Sequence, residues 1–139
     1  MCKTLGNRVN IFCVGQIEGA FVMGLGYFLT EQVLFDEQGL LLTNGSFEYK
    51  PPMVKEVPAV FNVTLLDNMY NKDGILGSKA VGEPPMVTAN SIYFAVKMAI
   101  ASARTDAGST AYFPLAVPAV VSNRQQASLV DPSRFVMPF

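Results

Sequence analysis

Gly15-Gln16-Ile17-Glu18-Gly19-Ala20-Phe21-Val22-Met23-Gly24-Leu25-Gly26-Tyr27-Phe28 is the stretch on which the fold turns. Ile17, Phe21, Leu25 and Phe28 recur at steps of three and four, so residues 15–32 read as a helix with one apolar face. Gly19, Gly24 and Gly26 interrupt it, and a glycine inside a helix costs roughly 1 kcal/mol relative to alanine. Such a helix needs compensation, most simply another backbone or a ligand seated closer than a side chain would allow. Downstream, Val33-Leu34-Phe35 and Leu40-Leu41-Leu42 flank Asp36-Glu37-Gln38-Gly39 and read as a β-hairpin whose turn residues accept the required backbone angles. Phe61, Val63 and Leu65 alternate with Asn62, Thr64 and Leu66, which predicts a further strand ending at Asp67-Asn68. Ile75 and Leu76 read as a short strand leading into residues 77–85.

After Gly82-Glu83-Pro84-Pro85, residues 86–104 read as a long helix with the prolines in its first turn, where a missing amide hydrogen had no partner to lose. This helix is apolar on nearly every face and is expected to be buried on more than one side. A short helix near residues 119–127 and a tail over residues 131–139 complete the pattern. The fold class expected is α+β: a glycine-bearing helix, a β-hairpin, a further strand and a long buried helix.

The 139 residues are one domain's worth of chain, half of it apolar, which is enough for a single core. Charged residues are only 15% and aromatics reach 11%, a balance that opposes disorder and predicts a surface partly made to be covered. With 10 basic against 11 acidic residues and no basic stripe, nucleic acid and anionic membranes are not expected as partners. No apolar run is expected to reach membrane-spanning length. Ile11-Phe12-Cys13-Val14 is too short for the core of a secretory signal, so the reading is cytoplasmic.

The chain contains no histidine, which removes Ser-His-Asp and Cys-His arrangements and histidine acid/base chemistry from within it. Proton chemistry falls to a carboxylate, lysine or tyrosine. Cys2 and Cys13 have no C-x-x-C partner and are expected to be free thiols; no metal site is expected from these side chains alone. Gly77-Ser78-Lys79 departs from the P-loop pattern, because serine precedes the lysine and alanine follows it.

Glu83 stands between Gly82 and two prolines at the mouth of the second long helix. The helix dipole favours its charged form while apolar surroundings oppose it, a balance suited to a poorly hydrated base. A second reading is a simple cap that satisfies first-turn amides; residue types alone leave both open. Gln16, beside Gly15, offers amide donors and an acceptor suited to a polar heterocycle or an oxo group.

Gly15-Gln16-Ile17-Glu18-Gly19-Ala20-Phe21-Val22 with Gly24-Leu25-Gly26, then Tyr49-Lys50, then Ser78-Lys79-Ala80-Val81-Gly82-Glu83-Pro84-Pro85, resembles the carboxy-terminal part of the molybdopterin-binding domain of the xanthine dehydrogenase and aldehyde oxidase family of molybdenum hydroxylases. The resemblance runs from Gly15 to Arg104, and the 67-residue step from Gln16 to Glu83 is one the family shares. It implies that Glu83 is the active-site base, that Gln16 contacts the molybdenum cofactor, and that backbone at Val81 and Gly82 lies along the same cofactor. The implied reaction is oxidative hydroxylation of a purine (hypoxanthine or xanthine) with water-derived oxygen, or alternatively of an aldehyde. A non-catalytic module that binds another chain is the rival reading. The Gly-Glu-Pro-Pro form looks more like xanthine dehydrogenases than vertebrate aldehyde oxidases. Met23 departs from the pattern, standing where the family usually has a second glutamine. Residues 1–14 form a leader unlike the family, and residues 15–139 are expected to be the cofactor-domain stretch, with 105–139 as its tail. On this resemblance the chain is a fragment, and the iron-sulfur (2Fe-2S), FAD and NAD-using domains belong to missing upstream partners in an expected homodimer.

Overall fold

The computed structural model describes residues 7–66, 71–75 and 78–131. Its helices are α1 (Asn7–Leu29), α2 (Pro84–Thr88), α3 (Asn90–Asp106) and α4 (Val121–Ser128), with one 3-10 turn at Val54–Glu56. Helix α1 packs mainly on α2 and α3, and α4 packs on α3. The expected apolar face of α1 is the one turned inward: Leu25 is buried, and Ile17, Phe21 and Phe28 are half-buried. Cys13, Ala20 and Gly24 complete that face.

The helix glycines divide into two kinds. A Cβ at Gly24 would lie 2.5 Å from the Ala89 Cβ and 2.6 Å from the Met86 carbonyl oxygen, and one at Gly26 would lie 2.5 Å from Pro52 Cδ. Gly24 thus allows close approach of the Met86 backbone, and Gly26 close approach of the Glu31 and Pro52 side chains, the compensation their helix cost requires. Gly15 and Gly19 have nothing within 4 Å of an added Cβ and face open space.

The expected hairpin shrinks to one antiparallel bridge between Phe35 and Leu41. The turn itself forms: the Asp36 carboxylate accepts from the amides of Gln38 and Leu40 at 2.9 and 2.7 Å, and Gly39 takes a positive φ of 82°. Pairing stops because the Leu34 amide donates to the Thr43 hydroxyl at 3.1 Å, a side chain replacing the next backbone partner. The strand expected over residues 61–66 is likewise corrected. Its alternation is present, with Phe61, Val63 and Leu65 half-buried and their neighbours exposed, but no other segment pairs with it among the described residues. It packs on α1, with the Phe61 ring 5.3 Å from Phe21. The described residues are therefore helical and irregular rather than α+β. Leu76 and residues 132–139 lie outside the described residues, so the short strand and most of the tail do too.

The long helix after the Gly-Glu-Pro-Pro segment is offset at Ala89 into α2 and α3. Its expected burial on several sides is not found: Ile100 is buried, while Phe94 and Met98 are 54% and 72% exposed. Little of the described chain lies over that side of α3, so its apolarity stays at the surface. By length and composition alone, Ile11–Leu29 and Pro84–Asp106 would each reach across a bilayer, which corrects the expectation that no apolar run attains that length. No unbroken apolar run is needed for this, because the polar residues scattered along each helix lower its mean hydropathy too little to matter. Cys13 is disulfide-bonded rather than a free thiol, and Cys2 lies outside the described residues.

Residues 109–120 form a strap across α3. The Tyr93 hydroxyl donates to the Leu115 carbonyl at 2.7 Å, and the Arg104 guanidinium lies 4.8 Å from the Phe113 ring centroid. Arg104 also donates to the Ala127 carbonyl at the end of α4 at 2.8 Å. Beyond the cis Val117–Pro118 bond, the buried Ala119 donates its amide to the Phe28 carbonyl at 2.7 Å, tying the strap back to α1.

Candidate functional site

Two segments distant in sequence meet beside the amino-terminal half of α1. Gln16 is carried by that helix with its side chain exposed, and residues 78–83 run past it before α2 begins. The Gln16 amide oxygen lies so near Gly82 that a Cβ built there would be 3.2 Å away. Gly82 and Val81 are half-buried, and Glu83 is exposed, so the apolar surroundings expected to limit its hydration are not found among the described residues. The structure thus brings Gln16 and Gly82 together, with Val81 and Glu83 on either side of Gly82 in the chain.

Glu83 occupies the N-cap position of α2 with αR backbone angles (φ −98°, ψ −41°), yet its side chain makes no cap hydrogen bond. Only its backbone participates, the Glu83 carbonyl accepting from the Met86 amide at 3.0 Å. A capping acid normally has extended backbone and an oxygen turned onto the amides of the second or third residue. Pro84 and Pro85 lack amide hydrogens, so the turn offers that carboxylate few donors. The capping reading of Glu83 therefore fails on geometry.

The surface around Gln16 suits a flat polar heterocycle such as a pterin. Gly15 and Gly19 leave open space beside the glutamine, Gly82 keeps the facing segment free of a side chain, and an exposed primary amide supplies both donors and an acceptor. These residues make one edge of a binding site rather than an enclosure.

Further along α1 a groove of about 580 Å³ is lined by Gly19, Met23, Tyr27, Met86, Glu31 and Tyr49 among others. At its end the Tyr49 hydroxyl donates to the Glu31 carboxylate at 2.5 Å. That hydrogen bond, partial burial and the Glu31 charge, in that order, raise the Tyr49 phenol above its ordinary value of 10.0. Nothing local in the sequence marks this pair, because eighteen residues separate its members. Met23 also lies on this groove and gives it a thioether.

A family model described as the molybdopterin cofactor-binding domain matches residues 5–58. The chain is similar to a xanthine dehydrogenase of Drosophila pseudoobscura pseudoobscura, 41% identical over 124 residues that cover 88% of this chain and 9% of that protein. It is also similar to xanthine dehydrogenase 1 of Arabidopsis thaliana, 47% identical over 113 residues covering 76% of this chain and 8% of that protein. Indole-3-acetaldehyde oxidase of Arabidopsis thaliana is 42% identical over 127 residues, covering 86% of this chain and 9% of that protein. The chain thus spans less than a tenth of the length of these curated relatives. Matched over most of its length by proteins of both names, and carrying the glutamine and Gly-Glu-Pro-Pro segments side by side, the chain belongs to the xanthine dehydrogenase and aldehyde oxidase family of molybdenum hydroxylases, as part of their molybdopterin cofactor-binding domain.

Proposed function

We propose that this chain supplies one wall of the active site of a xanthine dehydrogenase-like molybdenum hydroxylase, in which Glu83 is the base and Gln16 holds the molybdenum cofactor. The observation that carries the proposal is the approach of the Gln16 amide oxygen to Gly82, one residue before a carboxylate that is not consumed by capping. When bound, the cofactor supplies the acidity of a water-derived hydroxyl and accepts the electrons of the oxidation. Glu83 would take up, on a carboxylate oxygen, the proton released from that hydroxyl. The Gln16 amide orients the cofactor's polar edge, while Val81 and Gly82 present backbone close alongside it.

The substrate proposed is a purine, hypoxanthine or xanthine. An aldehyde is the second reading, favoured by the similarity to indole-3-acetaldehyde oxidase. The 2Fe-2S, FAD and NAD-using domains, a homodimeric assembly and a cytoplasmic location belong to the same proposal for the whole protein. Many large apolar side chains are exposed here, among them Phe12, Met23, Phe47 and Met98, which supports their being covered by further polypeptide. In the complete enzyme, Glu83→Gln is expected to lower turnover by two orders of magnitude or more, as loss of a positioned base does, with molybdenum content unchanged. Near-normal turnover with the metal retained refutes the assignment.

A further inference from the structure

We infer that Gly24 is a positioning residue for the Gln16, Gly82 and Glu83 cluster, setting how closely the Glu83-bearing turn lies against α1; its catalytic consequence rests on the proposed roles of Gln16 and Glu83. That turn comes close to α1 at two places. At Gly82 a Cβ would lie 3.2 Å from the Gln16 amide oxygen, and at Gly24 a Cβ would run into Met86 and Ala89. Gln16 and Gly24 are eight residues apart on α1, about 12 Å along its axis at 1.5 Å per residue. Glu83 lies in the chain between these two points of approach, one residue after Gly82 and three before Met86.

The contact at Gly24 is the tighter one. A Cβ there would lie 2.6 Å from the Met86 carbonyl oxygen and 2.5 Å from the fully buried Ala89 Cβ. Met86 contributes backbone, which cannot swing aside as a side chain can. Reaching an ordinary contact of 3.4 Å requires α2 to retreat by about 0.8 Å. Pro84 and Pro85 stiffen the link between α2 and Glu83, so the retreat is transmitted toward the Gly82 contact. Gly26 is equally crowded, but by the side chains of Glu31 and Pro52, neither of them on the Glu83-bearing turn, so a side chain there disturbs packing without acting on the turn.

The test uses the isotope-labelled full chain and follows the nuclear Overhauser contact between the Gln16 side-chain amide and the Gly82 α-hydrogens. Gly24→Ala is expected to abolish this contact with helix content retained, whereas Gly26→Ala lowers stability and keeps it. If Gly24→Ala does not fold, Gly24→Ala with Ala89→Gly removes the Cβ overlap and leaves the carbonyl one, and the contact is expected to be weaker than in the wild type. In the complete enzyme, Gly24→Ala is expected to lower kcat on the order of 10²-fold with cofactor content and KM held, the effect of misplacing a reacting group by about 1 Å. An unchanged contact in either Gly24 variant, or equal loss in Gly26→Ala, overturns the inference. Loss in Gly24→Ala beside normal turnover of Glu83→Gln instead refutes the catalytic reading and leaves the positioning role standing.

Discussion

Replacing Arg104 with methionine tests how far one guanidinium ties α3 to both the strap and the end of α4. Methionine keeps the apolar stem and removes the guanidinium, so lost packing is kept small. The variant loses the 2.8 Å donation to the Ala127 carbonyl, a hydrogen bond with a charged donor that contributes roughly 1.5–3 kcal/mol. It also loses the guanidinium over Phe113 at 4.8 Å, a partly exposed cation–π contact of about 0.5–1 kcal/mol. Against these stands a gain, because the buried Arg104 Nε has no hydrogen-bond partner and its removal returns roughly 1 kcal/mol of desolvation. The net expectation is a loss of about 2 kcal/mol, a fall in Tm of roughly 5–10 °C for a chain of this size. Urea unfolding of the full chain followed by circular dichroism measures it. A cycle with Phe113→Leu is expected to show about 0.5–1 kcal/mol of coupling between the two sites. A midpoint within about 0.5 kcal/mol of the wild type, or strictly additive single variants, refutes the strap as a set of cooperating contacts.

The helix glycines are expected to respond in opposite directions, and thermal unfolding of single variants reads this directly. Gly15→Ala and Gly19→Ala, which meet nothing within 4 Å, are expected to gain up to about 1 kcal/mol. Gly26→Ala, whose Cβ would meet Pro52 at 2.5 Å, is expected to lose roughly 1–3 kcal/mol from overpacking. Tyr49 sets a pH signature of the opposite kind from acid unfolding. Its folded value is raised above 10.0 by the bond to Glu31, so the stability it contributes is complete below pH 10 and is lost as pH climbs through the folded value. Denaturant midpoints between pH 8 and 11 should therefore fall more steeply for the wild type than for Tyr49→Phe, and parallel curves would count against the hydrogen bond.

Periodicity was legible because it is a local property. The three- and four-residue spacing of Ile17, Phe21, Leu25 and Phe28 needs only the helix's own geometry, and α1 turns that face inward. Prolines at the start of α2 were legible for the same reason, since their effect on the amide pattern is confined to one turn. The Gln16 and Gly-Glu-Pro-Pro segments were also recognisable one by one, through the family they resemble.

Strand formation was not legible, although residues 61–66 alternate as a strand should. A ladder depends on a partner edge elsewhere in the chain, and at Leu34 the Thr43 hydroxyl took that place. Tertiary structure alone decided which helix glycines are crowded, since Gly24 meets α2 and Gly19 meets nothing. It also decided against a side-chain cap at Glu83, because residue type and position allow one and only the folded geometry leaves the carboxylate without a cap hydrogen bond. Sequence by itself determined what each segment prefers over a turn or two. Contacts between segments, including the approach of Gln16 to Gly82 on which the proposed chemistry depends, arise only when the folded chain closes loops of tens of residues.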